Sequence, residues 1–291
     1  MEVRINEPMK RHTSFKVGGD AAWFAVPETV EELKAVLRAC EKADMPWYVI
    51  GRGSNLLVSD CGYPGVIIST AKLDKLEIEG TTVTAGAGVS LSRAASAAYQ
   101  AGLTGLEFAA GIPGSVGGAC VMNAGAYGSE MKHVLKTVTV LTRDGHVKTL
   151  LAEELELGYR TSVIPKEGYL VLEAEMVLTE GAQEEIKAVM DDLASRRKEK
   201  QPLEYPSAGS TFKRPEGFFA GKLIEDAGLT GFSVGGAQVS EKHAGFVINK
   251  GDAKAADIYN LCKAVEQKIM EQFGVKLEME VKMLGEFTTE V

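Results

Sequence analysis

The feature that most limits what this chain can fold into is the stretch GIPGSVGGACVMNAGAYG, from Gly111 to Gly128. It contains six glycines, three alanines, one proline and no charged residue. Glycine inside a regular element costs about 0.5–1 kcal/mol relative to alanine, so a run this rich in glycine needs a compensating reason. Close approach of another group to a bare backbone is such a reason, and a ligand is one group that requires it.

Standard nucleotide-binding motifs are absent from the glycine-rich turns of this chain. GRG at 51–53 and GAG at 86–88 each follow a strand-like run. A Rossmann fingerprint needs a third glycine three residues after the second, and Leu56 and Leu91 stand at those positions. A P-loop needs a closing lysine, which none of these turns has. Both motifs are therefore excluded.

Two lysine-free glycine loops nevertheless have the chemistry of an anion site. Consecutive backbone N–H groups in a turn form a concave nest for an anion, and small residues let a pyrophosphate approach it. GRGSN at 51–55 and GIPGSVGG at 111–118 both supply such groups. One such loop alone is more simply a tight turn, whereas two together favour a dinucleotide held by the backbone.

Composition narrows the class of protein. The chain has 291 residues, of which 45% are hydrophobic and 25% charged, as in soluble globular proteins of about two domains. Its net charge is −8, and no basic block is interleaved with aromatics, which argues against a nucleic-acid partner. The N-terminus lacks a signal peptide and no apolar run reaches about 18 residues, so we expect a cytoplasmic protein without a membrane partner.

The four cysteines and the other metal-ligating residues show no metal-binding pattern. No C-x-x-C spacing occurs, and no cluster of His, Cys, Asp and Glu has the spacing of a metal site, so we predict no metal. Three of the cysteines lie at apolar or small-residue positions, which predicts buried free thiols. These are Cys40, Cys120 and Cys262; the fourth cysteine is Cys61.

Periodicity predicts a mixture of helices and short strands. Thr29 followed three residues later by Glu32 predicts the start of a helix, and WYVI at 47–50 predicts a buried strand. Asp144-Gly145 predicts a hairpin with a type I′ turn. Residues 184–200 predict a helix whose apolar stripe is Ile186, Val189, Met190 and Leu193.

The last third of the chain reads as a separate α+β unit. QPLEYPSAGSTFKRPEG, from residue 201, is rich in turn formers and predicts a domain boundary. A long helix is expected from about Ala253 to Phe273, ended by Gly274, and LEMEVKML is expected to close the chain as a strand. The helix stripe consists of Ile258, Leu261, Cys262, Val265 and Ile269.

Several motifs together resemble a known family. WYVIGRGSNLLVSD and AGIPGSVGGACVMNAGAYG resemble the FAD-binding domain of the vanillyl-alcohol-oxidase-like flavoproteins. Five further motifs are similar to the UDP-N-acetylenolpyruvoylglucosamine reductase family, in the same order along essentially the whole chain. They are RHTSFKVGG (11–19), GYRTSVIP (158–165), PSAGSTFKRP (206–215), AGKLIEDAGLTG (220–231) and LEMEVKMLGE (277–286).

This resemblance implies an α+β fold with a two-part FAD-binding domain of the vanillyl-alcohol-oxidase/PCMH type and a C-terminal α+β substrate-binding domain. The implied ranges are 1–65 for the first FAD-binding subdomain, to which 284–291 returns, 66–199 for the second, and 200–283 for the substrate domain. FAD would be bound non-covalently, its pyrophosphate wrapped by 111–118 with GRGSN opposite. The implied FAD contacts are Arg52, Gly53, Ser54, Asn55, Leu56, Gly111, Ile112, Pro113, Gly114, Ser115, Gly117, Gly118, Asn123, Gly125, Ala126 and Tyr127.

The resemblance also implies a reaction. NADPH gives a hydride to FAD, and flavin N5 passes it to the vinyl carbon of UDP-N-acetylglucosamine enolpyruvate, which a proton converts to UDP-N-acetylmuramate for peptidoglycan synthesis. Arg160 and Glu280 would stabilise the enolate, and Ser210 would donate the proton. An arginine fork suits a carboxylate, and a well-aimed hydroxyl suffices for a strongly basic carbon. Alternation puts Glu278 and Glu280 on one face, so only the resemblance selects Glu280.

Substrate contacts are less sharply indicated. Tyr159 and Arg214 resemble substrate-binding positions, and the basic helix end RRKEK contributes Arg197 and Lys200 for the nucleotide diphosphate. The chain lacks the segments that carry a tyrosine lid in the longer form of the family, and Lys282 stands where arginine is common. We expect a monomer whose activity serves cell shape and cell division.

Two other readings stay open at this point. An oxidase of the same fold would use oxygen, but many such oxidases tether FAD to a histidine, and the glycine-rich stretch contains none. A non-catalytic nucleotide-binding protein would hold no flavin, or a flavin that NADPH does not bleach. His243 is expected to be structural rather than catalytic.

Overall fold

A computed structural model of the chain describes residues 1–287. The α-helices are α1 (Val30–Lys42), α2 (Leu91–Gln100), α3 (Val116–Met122), α4 (Val163–Glu167), α5 (Gln183–Lys200), α6 (Ala220–Asp226) and α7 (Ala255–Phe273). The strands are β1 (Glu2–Pro8), β2 (Asp20–Val26), β3 (Trp47–Ile50), β4 (Leu56–Val58), β5 (Tyr63–Ser69), β6 (Leu76–Glu79), β7 (Thr82–Gly86), β8 (Leu103–Thr104), β9 (Gly125–Ala126), β10 (Ser129–Glu130), β11 (Leu135–Leu141), β12 (Val147–Leu151), β13 (Leu170–Val177), β14 (Thr179–Glu180), β15 (Ser207–Ser210), β16 (Ser233–Val234), β17 (Ala237–Val239), β18 (Phe246–Asn249) and β19 (Lys282–Leu284).

The strands form several small sheets. The largest is a five-stranded antiparallel sheet in the order β12-β11-β13-β7-β6. Two four-stranded sheets have the orders β1-β2-β5-β3 and β15-β18-β17-β16. The pairs β10-β9 and β14-β8 are antiparallel, whereas β19 pairs with β4 in parallel.

Two compact units are interleaved in sequence. Unit 1 comprises Met1–Val3, Ala25–Arg52 and Ile67–Arg197, and unit 2 comprises Arg4–Phe24, Gly53–Val66 and the described residues from Lys198 onward. The boundaries of these two units differ from the three domain ranges expected from the sequence. Those three ranges stay a prediction. Of the predicted return segment 284–291, residues 288–291 lie outside the described residues.

The core of unit 1 packs the five-stranded sheet against α2 and α3. Ser90 begins α2, because its hydroxyl accepts from the Arg93 N–H. The buried face of α2 consists of Leu91 and three alanines, so the helix packs close to the sheet.

The core of unit 2 is organised by α7. Its predicted stripe is confirmed, since each of the five residues is at most 1% exposed, and Gly274 ends the helix in a left-handed conformation with φ 66°. The N-terminus of α7 is capped from a distant part of the sequence. The Asp60 carboxylate accepts from the Ala255 and Ala256 N–H groups, both at 2.9 Å. Asp60 is the last residue of the WYVIGRGSNLLVSD motif. Its hydrogen bonds therefore link the end of that motif, which lies in unit 2, to α7 of the same unit.

Three local predictions need correction. The 47–50 strand forms as expected, but only Ile50 is buried and Trp47 is 37% exposed, because β3 lies at a sheet edge. In α5 only Ile186 of the predicted stripe is fully buried; Met190 and Leu193 are half-buried, and Val189 is 47% exposed. The hairpin between β11 and β12 is confirmed, but only Gly145 has positive φ, so its turn is not type I′.

Candidate functional site

Several glycines of the glycine-rich stretch are explained by packing inside unit 1. A Cβ added at Gly117 would lie 2.8 Å from the Ala87 Cβ, and a Cβ at Gly51 would collide with the Ser115 Oγ. The GRG turn can thus approach α3 only with glycine at position 51. Close packing against protein atoms, rather than a ligand, explains glycine at these two positions.

Gly118 has no such packing reason among the described residues. It is exposed, and the nearest neighbour of an added Cβ outside the helix backbone would be the Ser115 Oγ at 3.6 Å. Alanine is preferred over glycine by about 1 kcal/mol inside a helix, yet α3 has glycine here. A group outside the described chain that lies against Gly118 would account for this choice.

One backbone donor of the same loop, the Ser115 N–H, is available to an anion. The Val116 and Gly117 N–H groups donate within unit 1, to Val89 at 2.8 Å and Ala87 at 2.9 Å. In residues 1–287, no protein acceptor is found for the Ser115 N–H, although Ser115 is buried. Buried donors normally have partners, so a bound acceptor fits this position.

Arg197 supplies a cation beside this loop. Its guanidinium lies against Gly111, where a Cβ would collide with it, and is 5.9 Å from the centroid of the Tyr127 ring. The Nε and Nη1 atoms are buried and find no hydrogen-bond acceptor within the described ranges. A buried guanidinium in this condition favours an anionic ligand. The residues present therefore fit the pyrophosphate of a dinucleotide.

The GRGSN loop continues into unit 2. Gly53 has φ 60°, and a Cβ there would collide with the His12 carbonyl. The Asn55 side chain donates to the Glu280 carbonyl at 3.2 Å, and the Asn55 carbonyl accepts from the Lys282 N–H at 3.0 Å. The loop that leads into β4 is thus bound to the C-terminal segment.

The predicted cofactor residues differ widely in exposure, and only some present a side chain to solvent. The exposed ones are Arg52, Gly111, Pro113, Gly118 and Tyr127; the half-buried ones are Ser54, Asn55, Ile112, Gly114, Gly125 and Ala126; the buried ones are Gly53, Leu56, Ser115, Gly117 and Asn123. Leu56 is buried in β4, so its side chain is in the core of the protein.

Arg160 lies in a strained tight turn of unit 1. Gly158 and Thr161 exchange two backbone hydrogen bonds around Tyr159 and Arg160, of 3.2 and 3.4 Å. Arg160 has φ 54°, a left-handed conformation that a non-glycine residue adopts at a cost. Its Nη1 donates to the Gly125 carbonyl at 3.4 Å, and its guanidinium is 5.8 Å from the Tyr159 ring centroid. Strain of this kind is common at functional positions.

Ser210 and Glu280 lie on neighbouring segments of unit 2. The Glu280 N–H donates to the carbonyl of Thr211, the residue after Ser210, at 2.8 Å. Gly209, with φ 76°, stands at a register shift in the pairing of β15 with β18. Such bulges re-aim side chains, and the Ser210 side chain is exposed here.

The structure separates the two glutamates that sequence alternation placed together. Glu278 forms an ion pair with Lys213, which lowers the pKa of its carboxyl group, and its side chain is 67% exposed. Glu280 is only 8% exposed. The prediction of one shared face is wrong, because only Lys282–Leu284 of this segment is a strand. Lys282 itself is exposed.

The remaining predicted residues lie at the surface or pack structurally. Arg214 is exposed, with its guanidinium 4.5 Å from the Phe219 ring centroid, and Lys200 is exposed at the end of α5. His243 is half-buried, and burial lowers its pKa. Its Nδ1 accepts from the Gly245 N–H at 3.0 Å, which agrees with the structural role expected for it.

Residues 1–287 contain neither a metal-binding cluster nor a membrane-spanning helix. No group of three His, Cys, Asp or Glu side chains there could hold a metal ion. No helix in this part of the chain is long and apolar enough to cross a membrane. Three cysteines are buried as predicted, and burial raises the pKa of the Cys120 thiol to about 12.

Ser162 and Gly51 are site residues that sequence reasoning missed. Ser162 is buried and its hydroxyl donates to the Val121 carbonyl at 2.8 Å, which ties the segment after Arg160 to α3. The sequence signal for Ser162 is its position in the GYRTS motif, two residues after Arg160. Gly51 belongs to the predicted GRG turn, but the reason that it must be glycine depends on Ser115, which is distant in the chain.

Two family profiles match this chain. One, described as an FAD binding domain, matches residues 21–151, and one described as UDP-N-acetylenolpyruvoylglucosamine reductase, C-terminal domain, matches residues 201–284. Together with the α+β fold and the glycine-loop site, they define the protein as an FAD-dependent oxidoreductase.

Whole-chain relatives identify the family. The UDP-N-acetylenolpyruvoylglucosamine reductase of Agathobacter rectalis is 55% identical, covering 97% of this chain and 94% of the relative, and that of Lachnoclostridium phytofermentans is 53% identical, covering 98% and 93%. The crystal structure of UDP-N-acetylenolpyruvylglucosamine reductase from Thermus caldophilus aligns with a TM-score of 0.84 at 38% identity, covering 98% of both chains. The chain belongs to the UDP-N-acetylenolpyruvoylglucosamine reductase family.

Proposed function

We propose that this chain uses NADPH to reduce UDP-N-acetylglucosamine enolpyruvate to UDP-N-acetylmuramate, in the cytoplasm, for peptidoglycan synthesis and hence for cell shape and division. The relatives' names support the substrate class. The observation that carries the proposal is the backbone hydrogen bond from the Glu280 N–H to the Thr211 carbonyl, which puts the segment of a buried glutamate beside the segment of an exposed serine.

The glycine loop and its cation are proposed to hold FAD non-covalently. The Ser115 N–H and the Arg197 guanidinium supply donors for the pyrophosphate, and Gly118 leaves the space for its approach. This role for Arg197 differs from the sequence-based expectation, which gave it to the diphosphate of the substrate, and it follows from the contact of its guanidinium with Gly111. The chemistry that FAD supplies when bound is hydride transfer. These residues of the chain would bind the FAD pyrophosphate. No lysine is needed, because the backbone N–H and guanidinium groups together stabilise its negative charge.

The reacting end of the substrate is proposed to be served by Arg160, Glu280 and Ser210. Hydride addition to the vinyl carbon leaves negative charge that is delocalised onto the carboxylate as an enolate. A preorganised guanidinium stabilises such charge as it develops, and the turn holds Arg160 in one backbone conformation. The Ser210 hydroxyl donates the proton that completes the product.

Visible spectroscopy under anaerobic conditions tests the proposed function directly. The protein as purified should be yellow, NADPH should bleach it, and the enolpyruvyl substrate should restore the colour without oxygen. Acid should release free FAD. Colour restored only by oxygen would favour an oxidase, and a folded protein that gains no flavin absorbance when FAD is added would favour a non-flavin protein.

Replacing Gly118 with alanine should weaken FAD binding while leaving the fold intact. The added methyl meets nothing closer than 3.6 Å outside the helix backbone and improves helix propensity, so the melting temperature of the FAD-free protein should not fall. If the pyrophosphate lies against Gly118, the FAD dissociation constant should rise at least tenfold. Isothermal titration of the apoprotein with FAD measures this dissociation constant. Unchanged affinity would remove Gly118 from the cofactor site.

Replacing Glu280 with glutamine should keep FAD and lose turnover. The change removes charge and proton exchange at almost constant shape, so kcat should fall by about 10²–10⁴-fold. Glu278→Gln is the matched control, since Glu278 is exposed and paired with Lys213, and its activity should stay within about twofold. Steady-state kinetics decide between them. A silent Glu280→Gln beside a damaging Glu278→Gln would reverse the assignment.

A further inference from the structure

The end of α3 is built around one buried amide side chain. Asn123 is 1% exposed and adopts the left-handed conformation, φ 42°, at the C-terminus of the helix. Its Nδ2 donates to the Gly158 carbonyl at 3.1 Å, and its Oδ1 accepts from the Lys132 N–H at 2.9 Å. Glycine is the usual residue in this backbone conformation, so the cap alone does not call for asparagine.

Both side-chain hydrogen bonds of Asn123 are made to segments that hold or contact Arg160. Gly158 is the first residue of the turn that presents Arg160, and it exchanges backbone hydrogen bonds with Thr161. Lys132 follows the β9-β10 hairpin, whose Gly125 carbonyl accepts from the Arg160 guanidinium. The Asn123 amide group therefore binds two segments. One is the turn that contains Arg160, and the other is the segment whose Gly125 carbonyl accepts from the Arg160 guanidinium.

A second anchor lies on the other side of the turn. The Ser162 hydroxyl donates to the Val121 carbonyl in the last turn of α3, and Ser162 is 1% exposed. The residues before and after Tyr159-Arg160 are thus both bound to the same end of α3. A strained conformation persists only when its surroundings over-determine it, and these two anchors do so.

We infer that Asn123 is a positioning residue that sets the Arg160 guanidinium for substrate reduction. The inference rests on the proposed role of Arg160. Asn123 was also expected among the FAD contacts; because both ends of its side chain are bound to protein backbone, that expectation stays a prediction for its backbone atoms. Loss of the amide should displace the turn, and a displacement of about 1 Å near a reacting centre costs about 10²-fold in rate.

Asn123→Asp is the sharpest variant. It keeps the size and the acceptor for Lys132 but puts an oxygen opposite the Gly158 carbonyl in place of the donor. In anaerobic stopped-flow measurements, reoxidation of the reduced flavin by the enolpyruvyl substrate should slow by about 10–100-fold. Bleaching by NADPH and the affinity for FAD should stay within about twofold. Asn6→Asp, at an exposed asparagine with φ 51°, is the matched control and should change neither half-reaction.

A double-mutant cycle with Arg160→Lys shows whether Asn123 acts through Arg160. Non-additive losses are expected, with the double variant no slower than Arg160→Lys alone. Additive losses, or equal slowing of both half-reactions by Asn123→Asp, would overturn the inference and leave the role of Arg160 standing. A normal second half-reaction in Arg160→Lys would overturn both. If Asn123→Asp does not fold, Asn123→Gly, which suits the left-handed backbone, carries the same measurements.

Discussion

Replacing Ser210 with alanine should leave NADPH-driven bleaching of the flavin at its normal rate and slow reoxidation by the enolpyruvyl substrate by about 10²–10⁴-fold. The first half-reaction needs no proton from this side chain, whereas the second leaves an enolate that must be protonated. The Ser210 hydroxyl is exposed next to the bulge at Gly209, so its removal costs no buried hydrogen bond. Anaerobic stopped-flow spectroscopy separates the two rates.

Two further variants test whether the effect on reoxidation is specific to the Ser210 hydroxyl. Ser210→Cys keeps a donor in place and should lose less than the alanine variant. Ser207→Ala, in the same strand, should leave both half-reactions unchanged. Equal slowing of both half-reactions in Ser210→Ala would assign the residue to the fold or the flavin, and an unchanged second half-reaction would remove it from the mechanism.

Replacing Arg160 with glycine should stabilise the backbone and abolish most of the substrate reduction. At φ 54° a non-glycine residue costs roughly 1–2 kcal/mol that glycine does not. This gain is expected to offset the lost contacts of the guanidinium, which include the 3.4 Å hydrogen bond to the Gly125 carbonyl and the Tyr159 ring. The melting temperature should therefore hold or rise. Loss of a preorganised donor at developing charge should slow reoxidation by substrate by at least 10²–10³-fold. Thermal melts and stopped-flow rates on one preparation measure both effects.

Glu156→Gly is the matched control for the Arg160 experiment. Glu156 also has a left-handed backbone, with φ 48°, and its side chain is paired with Lys166 at the surface. Its replacement should hold or raise the melting temperature without a change in either half-reaction. A sharp fall in the melting temperature of Arg160→Gly would show that the guanidinium supports the fold, and full activity in that variant would contradict its role at the enolate.

Local patterns in the sequence determined several elements of this protein. The stripe of α7 and its end at Gly274, the cap at Thr29 and the hairpin near Gly145 all formed as expected. Each depends on residues within a few positions of one another, where helical periodicity, capping or turn geometry acts directly. The glycine loops were equally visible, because a run without side chains is a property of the sequence alone.

Only the tertiary structure decided which residue of a chemically similar set is buried, paired or strained. Glu278 and Glu280 differ because Lys213 reaches the first while Thr211 pairs with the backbone of the second. Gly118 differs from Gly117 because Ala87 packs against only one of them. Asn123 joins segments far apart in the chain. Such contacts form between distant residues, so no local pattern contains them, and the long-range packing that creates them sets both burial and the direction of each side chain.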